Sequence, residues 1–413
     1  MKPASKINEP PLLRQRRDFL AALFGLTIGK PVLKNPCRDP ALGDFAKTPL
    51  LARIWAGLDP AQIWDCHVHL TGMGDSNNGL VVGPMLTSPW HPLLNIQRLF
   101  YLNASCSPAA SGTVDENYVS RLAMLAQNMP AGFKTLLFAF DWFCDETGTP
   151  VPEKSTFHVP NGYARKVAAA HPDVFEWAAS IHPCRPDAVD QLQAAAAGGA
   201  KAVKWLPAAQ NIDPASPRCD AFFAALARLK LPLITHCGAE KATVTSKLEY
   251  FGNPLRLRRA LDAGVRVVVA HCASDGTDDD LDKPGTRQTS FALFARLMDR
   301  PEWRENLRGD ISAIVLRNHE HRVIKALLIR EDWHGRLLNG SDYPLPGILP
   351  IISPAALAAA GLLPRETVAT LETLREYNPL YFDFALKRLL SWQGKTFPAT
   401  VFETRKFFEP LPT

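Results

Sequence analysis

From Ala61 onward a short aliphatic or β-branched run ends in a polar residue, a helical stretch follows, and the unit recurs eight times. The runs are AQIWDCHVH (61–69), FKTLLFAFDWF (133–143), FEWAASIHP (175–183) and AKAVKWLP (200–207), then LPLITHCG (231–238), VRVVVAHCAS (265–274), LRGDISAI (307–314) and GRLLNGSDYP (335–344). Continuous apolar runs of this length suit parallel strands buried on both faces. The intervals carry helix signals: PDAVDQLQAAAAGG has an acidic start, an Ala-rich body and a glycine stop. Strand and helix alternating eight times predict an α/β fold, a (β/α)8 TIM barrel over residues 61–350. A doubly wound sheet is the alternative, and the polar residues at so many strand ends favour the barrel.

Active sites of such barrels lie at the C-terminal ends of the strands. There stand His67 and His69 on strand one, His182 on three, Lys204 on four, His236 on five, His271 on six and Asp342 on eight. Asp141 and Asp310 add carboxylates on strands two and seven. Positions two apart share a strand face. Asp65, His67 and His69 therefore group together, with Cys66 and Val68 opposite. Lys204 shares a face with Ala202 and Leu206, while Val203 and Trp205 point outward. Imidazoles and a carboxylate are the ligands a divalent transition metal prefers. A lone strand histidine is ordinarily structural; four histidines and an aspartate from four different strands, converging at one rim, point to a metal or substrate site.

The motifs DCHVH, GAKAVKWLP, PLITHCG, RVVVAHCAS and LLNGSDYP resemble the amidohydrolase superfamily of metal-dependent barrels. SIHPCRPDAVDQL and TLREYNPLYFDFAL are similar to segments of its amidohydrolase-related branch, which includes the aminocarboxymuconate-semialdehyde decarboxylase type. The resemblance covers nearly all of 61–390. It implies that His67, His69 and Asp342 bind a metal and that His236 is a further ligand. It implies that His271 binds a second metal or polarises the substrate, and that Asp342 also takes a proton from the activated water. Lys204 divides the superfamily's versions: carbamylated and bridging two ions, or unmodified and pairing with a substrate carboxylate. A rim-filling structural lysine is the third reading. His182 and Lys204 are candidate substrate contacts. The expected cofactor is one or two divalent ions, zinc first. The expected reaction is hydrolysis of a C–N or C–O bond in a small molecule: an amide, lactam, lactone or ester. A non-oxidative decarboxylase of an unsaturated or aromatic acid is the alternative, and a barrel that binds without turnover is the third.

The net charge of +5 lies wholly in residues 1–60; the remainder is neutral and has no basic run. That argues against a nucleic-acid surface. In RQRRDFLAALFGLTIGK, Arg16 and Arg17 precede Asp18-Phe19-Leu20 and an uncharged run to Gly29. Residues 1–30 resemble a twin-arginine export signal, with transient membrane contact and a periplasmic destination. The alternative is an N-terminal helix on a cytoplasmic protein. Residues 31–60 read as a Pro-rich linker with a helix around PLLARIWAGL, and 351–413 as a helical extension packed on the barrel or on a second subunit of a homo-oligomer.

Of the eight cysteines, Cys66, Cys237 and Cys272 read as small buried residues on outward strand faces. SDGTDDDLD (274–282) lacks EF-hand spacing and reads as a solvated loop. RNHEH (317–321) follows strand seven and reads as an exposed helix start, with His319 or His321 reaching substrate as the other reading. The insertion at 70–132 is the longest between strands, and is expected to shape or cover the pocket.

Overall fold

Eight parallel strands pair in chain order: β1 (Trp64–His69), β2 (Lys134–Phe138), β3 (Phe175–Ala179), β4 (Ala202–Trp205), β5 (Leu233–Thr235), β6 (Val267–Val269), β7 (Leu307–Asp310) and β8 (Leu337–Leu338). The computed structural model describes residues 35–409 except 108–111, 242, 244–246, 320 and 350, so the expected export segment lies outside the described residues. The chain after β8 returns to β1. Asp342 donates its backbone N–H to the His67 carbonyl at 2.8 Å, and His69 donates its own to the Tyr343 carbonyl at 3.0 Å. This return brings the sheet round into the barrel that the eightfold alternation predicts.

The insertion between β1 and β2 holds α1 (Pro92–Ala104) and α2 (Val114–Gln127). Around the barrel lie α3 (Asn161–Ala170), α4 (Ala188–Ala197), α5 (Asp220–Leu229), α6 (Arg258–Asp262), α7 (Ser290–Met298) and α8 (His321–Ile329). The C-terminal extension adds α9 (Val368–Tyr377) and α10 (Pro379–Leu389). α7 shows why such segments are helical: Thr289 caps it by accepting from the Ala292 N–H, and Leu293, Phe294 and Leu297 bury one stripe.

Two cores result. The outer core lies between strands and helices; there Trp205 stacks on Phe222 with centroids 5.5 Å apart, on the outward face the sequence assigns it. The inner core runs along the barrel axis through Trp64, Leu136, Phe138, Ala202, Ile234 and Val268. Phe408, near the C-terminus, stacks on Trp64 at 6.2 Å and joins that core.

Cys66 also belongs to the inner core, which corrects its expected outward placement. The reason is an irregularity in β1–β2 pairing between Asp65 and Val68, which breaks the two-residue alternation. Asp65 is turned toward β8, accepting from the N–H groups of Ser341 at 2.8 Å and His67 at 3.2 Å. Burial pushes its carboxyl up to about 6. Cys237 and Cys272 do pack in the outer core.

The helix near PLLARIWAGL is present at Pro49–Trp55, and Trp55 stacks on Phe384 of α10 at 4.4 Å. Cys37 and Cys106 form a disulfide across 69 residues, a pairing that no sequence spacing announces. In the acidic loop, Asp280 and Asp282 are taken up by Arg296 at 2.7 and 2.8 Å. No helix of the described residues is long and apolar enough to cross a membrane.

Candidate metal centre

The ends of β6, β7 and β8 share an uncommon backbone. His271, Cys272, Ala273, Ala313 and Asp342 all have φ between 50° and 60°, although none is glycine. Such left-handed residues cost of order 1–3 kcal/mol each and persist where surroundings over-determine them. Here they aim His271 and Asp342 inward.

Asp342 is the hub. Its Oδ1 lies 3.0 Å from His69 Nε2 and 3.4 Å from His67 Nε2, and its Oδ2 lies 3.8 Å from His271 Nε2. Donors held ~2.0–2.1 Å from a tetrahedral ion stand about 3.4 Å apart. His67, His69 and Asp342 are therefore spaced to share one ion, and they form a compact donor group. Burial pulls His67 down to about 4 and His271 well below its ordinary value. Both imidazoles are thus neutral, the form that binds metal.

His67 is oriented from behind: its Nδ1 lies 2.9 Å from Asp310 Oδ2, which leaves Nε2 facing Asp342. The other oxygen of Asp310 accepts from the backbone N–H groups of His271 at 2.9 Å and Ser312 at 3.0 Å, and from the Ser312 hydroxyl. Burial alone would raise the Asp310 carboxyl; the facing His67, with its hydrogen bond, and Ser312 hold it below the usual carboxylate range. Ser312 Oγ in turn lies 2.7 Å from His271 Nδ1.

His236 follows β5. Its Nδ1 lies 3.5 Å from Glu240, while its Nε2 is buried and has no hydrogen-bond partner among the described residues. A buried polar atom left unpaired is costly, and an ion is the partner this donor set suits. His236 nonetheless stands apart from the compact group of three, its ring 5.4 Å from that of His271. Lys204 is fully buried, with Nζ 3.2 Å from His67 Nε2 and 4.8 Å above the Phe138 ring. Burial lowers its pKa.

His67, His69, Lys204, His236, His271 and Asp342 thus line one pocket. His182 does not. Its backbone N–H donates to Asp141 at 2.8 Å, its Nδ1 accepts from the Cys184 N–H at 3.3 Å, and its Nε2 lies 3.4 Å from the Asn211 carbonyl. It braces the turn after β3, and its expected substrate contact is corrected on that ground. Asp141 braces the same turn, with Arg185 3.6 Å away.

The insertion supplies a pocket wall through Val82, Leu86, Tyr101 and Leu102, as its length suggests. Arg98 on the same wall donates to the Leu86 carbonyl at 3.3 Å and to Asn95 Oδ1 at 2.8 Å. Sequence reading missed it, although Arg98, Tyr101 and Leu102 have helical face spacing. Glu240 and Ser312 were missed as well. Of the RNHEH pair, His319 lines the pocket, with Nδ1 2.8 Å from Ser274 Oγ and Nε2 3.9 Å from Asp275. Burial pulls it down to about 4.

The barrel carries at its rim a His/Asp group that could hold a metal ion. The family model of the amidohydrolases matches residues 64–372, and the chain belongs to that family. No curated protein matches it. Similar solved structures include an uncharacterised TIM-barrel protein from Bordetella bronchiseptica, at 18% identity and TM-score 0.45, covering 78% of this chain and 99% of that one. Another is assigned as a 2-pyrone-4,6-dicarboxylic acid hydrolase from Pseudomonas putida, at 15% identity and TM-score 0.42, covering 84% and 97%. A third is a 5-carboxyvanillate decarboxylase from Novosphingobium aromaticivorans with bound manganese, at 11% identity and TM-score 0.40, covering 78% and 96%. Both a hydrolase and a decarboxylase stand among them.

Proposed function

We propose that this enzyme hydrolyses a C–N or C–O bond of a small molecule: an amide, lactam, lactone or ester. One observation carries the reading. A single carboxylate, Asp342, meets His69 and His67 through one oxygen and faces His271 through the other. His67, His69 and Asp342 would hold a divalent ion, zinc being the expected one, with His236 as a further ligand. When bound, such an ion supplies Lewis acidity, polarising a carbonyl and acidifying water. The remaining chemistry belongs to the chain. Asp342 accepts the proton of the attacking water and returns it to the leaving group. His271, neutral and with its Nδ1–H taken up by Ser312, presents an unprotonated Nε2 to the pocket, where it can accept a proton from water or substrate. Val82, Leu86 and Leu102 keep bulk water from the apolar side.

Lys204 sets the number of ions. We favour one, because its Nζ already occupies the space beside His67 Nε2. Elemental analysis tests this: one ion per chain is expected, while two, with releasable CO2, would establish a carbamylated lysine.

The second reading is a carboxy-lyase. Arg98 favours it: its guanidinium faces the pocket, bonds to a carbonyl, an amide and a thioether, and has no carboxylate partner among the described residues. Such a cation suits a substrate carboxylate. A screen of lactones, esters and amides beside aromatic acids, with CO2 release monitored, separates the two. Asp342→Asn should abolish turnover of whatever substrate emerges. Full activity in that variant would refute the proton-transfer role.

We also propose a periplasmic location. The Arg16-Arg17 pair motivates it, and the Cys37–Cys106 disulfide supports it, because disulfides persist in oxidising compartments. Changing both arginines to lysine should retain the protein in the cytoplasm; unchanged fractionation would count against export.

A further inference from the structure

Helix α1 walls the pocket through Arg98, Tyr101 and Leu102, yet its far end is fastened from outside the barrel. Cys106, just past the helix, is bonded to Cys37. The buried Asn35 side chain donates to the carbonyls of Ala104 at 3.4 Å and Gly347 at 3.3 Å. Ala104 is the last residue of α1. Gly347 ends the short turn Leu345–Gly347 after Asp342, and Pro344 and Leu345 beside it line the same pocket. Arg38 continues the attachment, pairing with Glu376 of α9 at 2.9 Å, while Arg121 of α2 donates to its carbonyl at 2.8 Å. Residues 35–38 therefore join α1, α2, the turn after β8, and α9.

Within this attachment only the disulfide is covalent. The Asn35 bonds are long for N–H···O contacts, and the Arg38–Glu376 pair is exposed, a setting in which ion pairs contribute little. Cys37 is itself exposed, so a reductant can reach it. Cysteines 66, 144, 219, 237 and 272 are free and buried.

We propose that Cys37–Cys106 is a redox clasp for the pocket wall. Oxidised, it holds the C-terminal end of α1 beside the metal centre. Reduced, it releases that end, and α1 opens away from His67 and Asp342. The opening step takes two electrons and two protons from a dithiol: the S–S bond breaks, two thiols form, and the dithiol becomes a cyclic disulfide. Export to an oxidising compartment would then complete the pocket wall as well as relocate the protein.

Hydrogen–deuterium exchange on the metal-loaded full chain tests this without any substrate. Three samples are compared: oxidised wild type, wild type reduced with dithiothreitol and desalted, and Cys37→Ser. In the latter two, amides of residues 92–104 should exchange about tenfold faster, while those of β1 to β8 stay unchanged. Reoxidation should restore slow exchange in wild type alone. Unchanged exchange in α1 would overturn the proposal. So would a uniform rise through the strands, because that marks global destabilisation and no clasp. If Cys37→Ser does not fold, the reduced wild type decides. A failed hydrolase assay would leave this result standing, because no turnover enters the measurement.

Discussion

Asp310 lies behind the metal-type ligands, and its carboxylate governs two of them. One oxygen fixes His67 through Nδ1; the other holds the His271 backbone and the Ser312 hydroxyl that steadies the His271 ring. Asp310→Asn should keep the fold but allow His67 the wrong tautomer. Metal affinity should fall roughly 10–100-fold, measured by competition with a chromogenic chelator. A second residue-scale prediction concerns His319, which lies outside the donor group. Its folded value of about 4 lies below the ordinary 6.5. Between those values the unfolded chain binds the proton and the folded chain does not, so stability rises with pH. Wild type should lose stability as pH falls from 6.5 toward 4. The His319 contribution is at most about 1.4 kcal/mol per pH unit. His319→Gln should lack that share of the slope. Urea unfolding across the window compares the two, and parallel curves would contradict the assignment.

At the scale of elements, β8 shows how closely the rim is built. A Cβ on Gly340 would meet His67 Cβ at 2.6 Å and the His67 nitrogen at 3.1 Å. Gly340→Ala should cost about 1–3 kcal/mol by overpacking and weaken metal binding together with stability, read as paired drops in Tm and metal content. The eight strands were legible because burial on both faces demands unbroken apolar runs, and such runs are visible in one dimension. His67, His69, His236, His271 and Asp342 were legible because strand ends share a rim. Cys66 was misplaced because the β1 bulge leaves no mark in residue type. Asp310 was noted only as a carboxylate, and Ser312 not at all, since their roles arise from contacts across 243 and 245 residues. Arg98 was hidden in an insertion whose docking depends on tertiary contacts.

On the scale of the whole molecule, the C-terminal extension completes the barrel. Phe408 joins the inner core and stacks on Trp64, although it lies far beyond β8. Phe408→Ala should cost about 3–5 kcal/mol, seen as a lower denaturation midpoint. On the α10 side, the buried Lys387–Asp383 pair donates through Lys387 to the Gly340 carbonyl, so the extension also steadies the β8 end. The tail thus contributes to the integrity of the catalytic barrel.

The bond between Cys37 and Cys106 also changes the connectivity of the chain. Residues 37–106, with all of β1 inside them, form a closed covalent ring. A peptide bond cut anywhere in that ring would leave both fragments joined through sulfur. A protein nicked between residues 70 and 106, the part of the insertion inside the ring, would therefore run as one species without reductant and as two with it. A cut in that part of the insertion need not release the strand that carries His67 and His69.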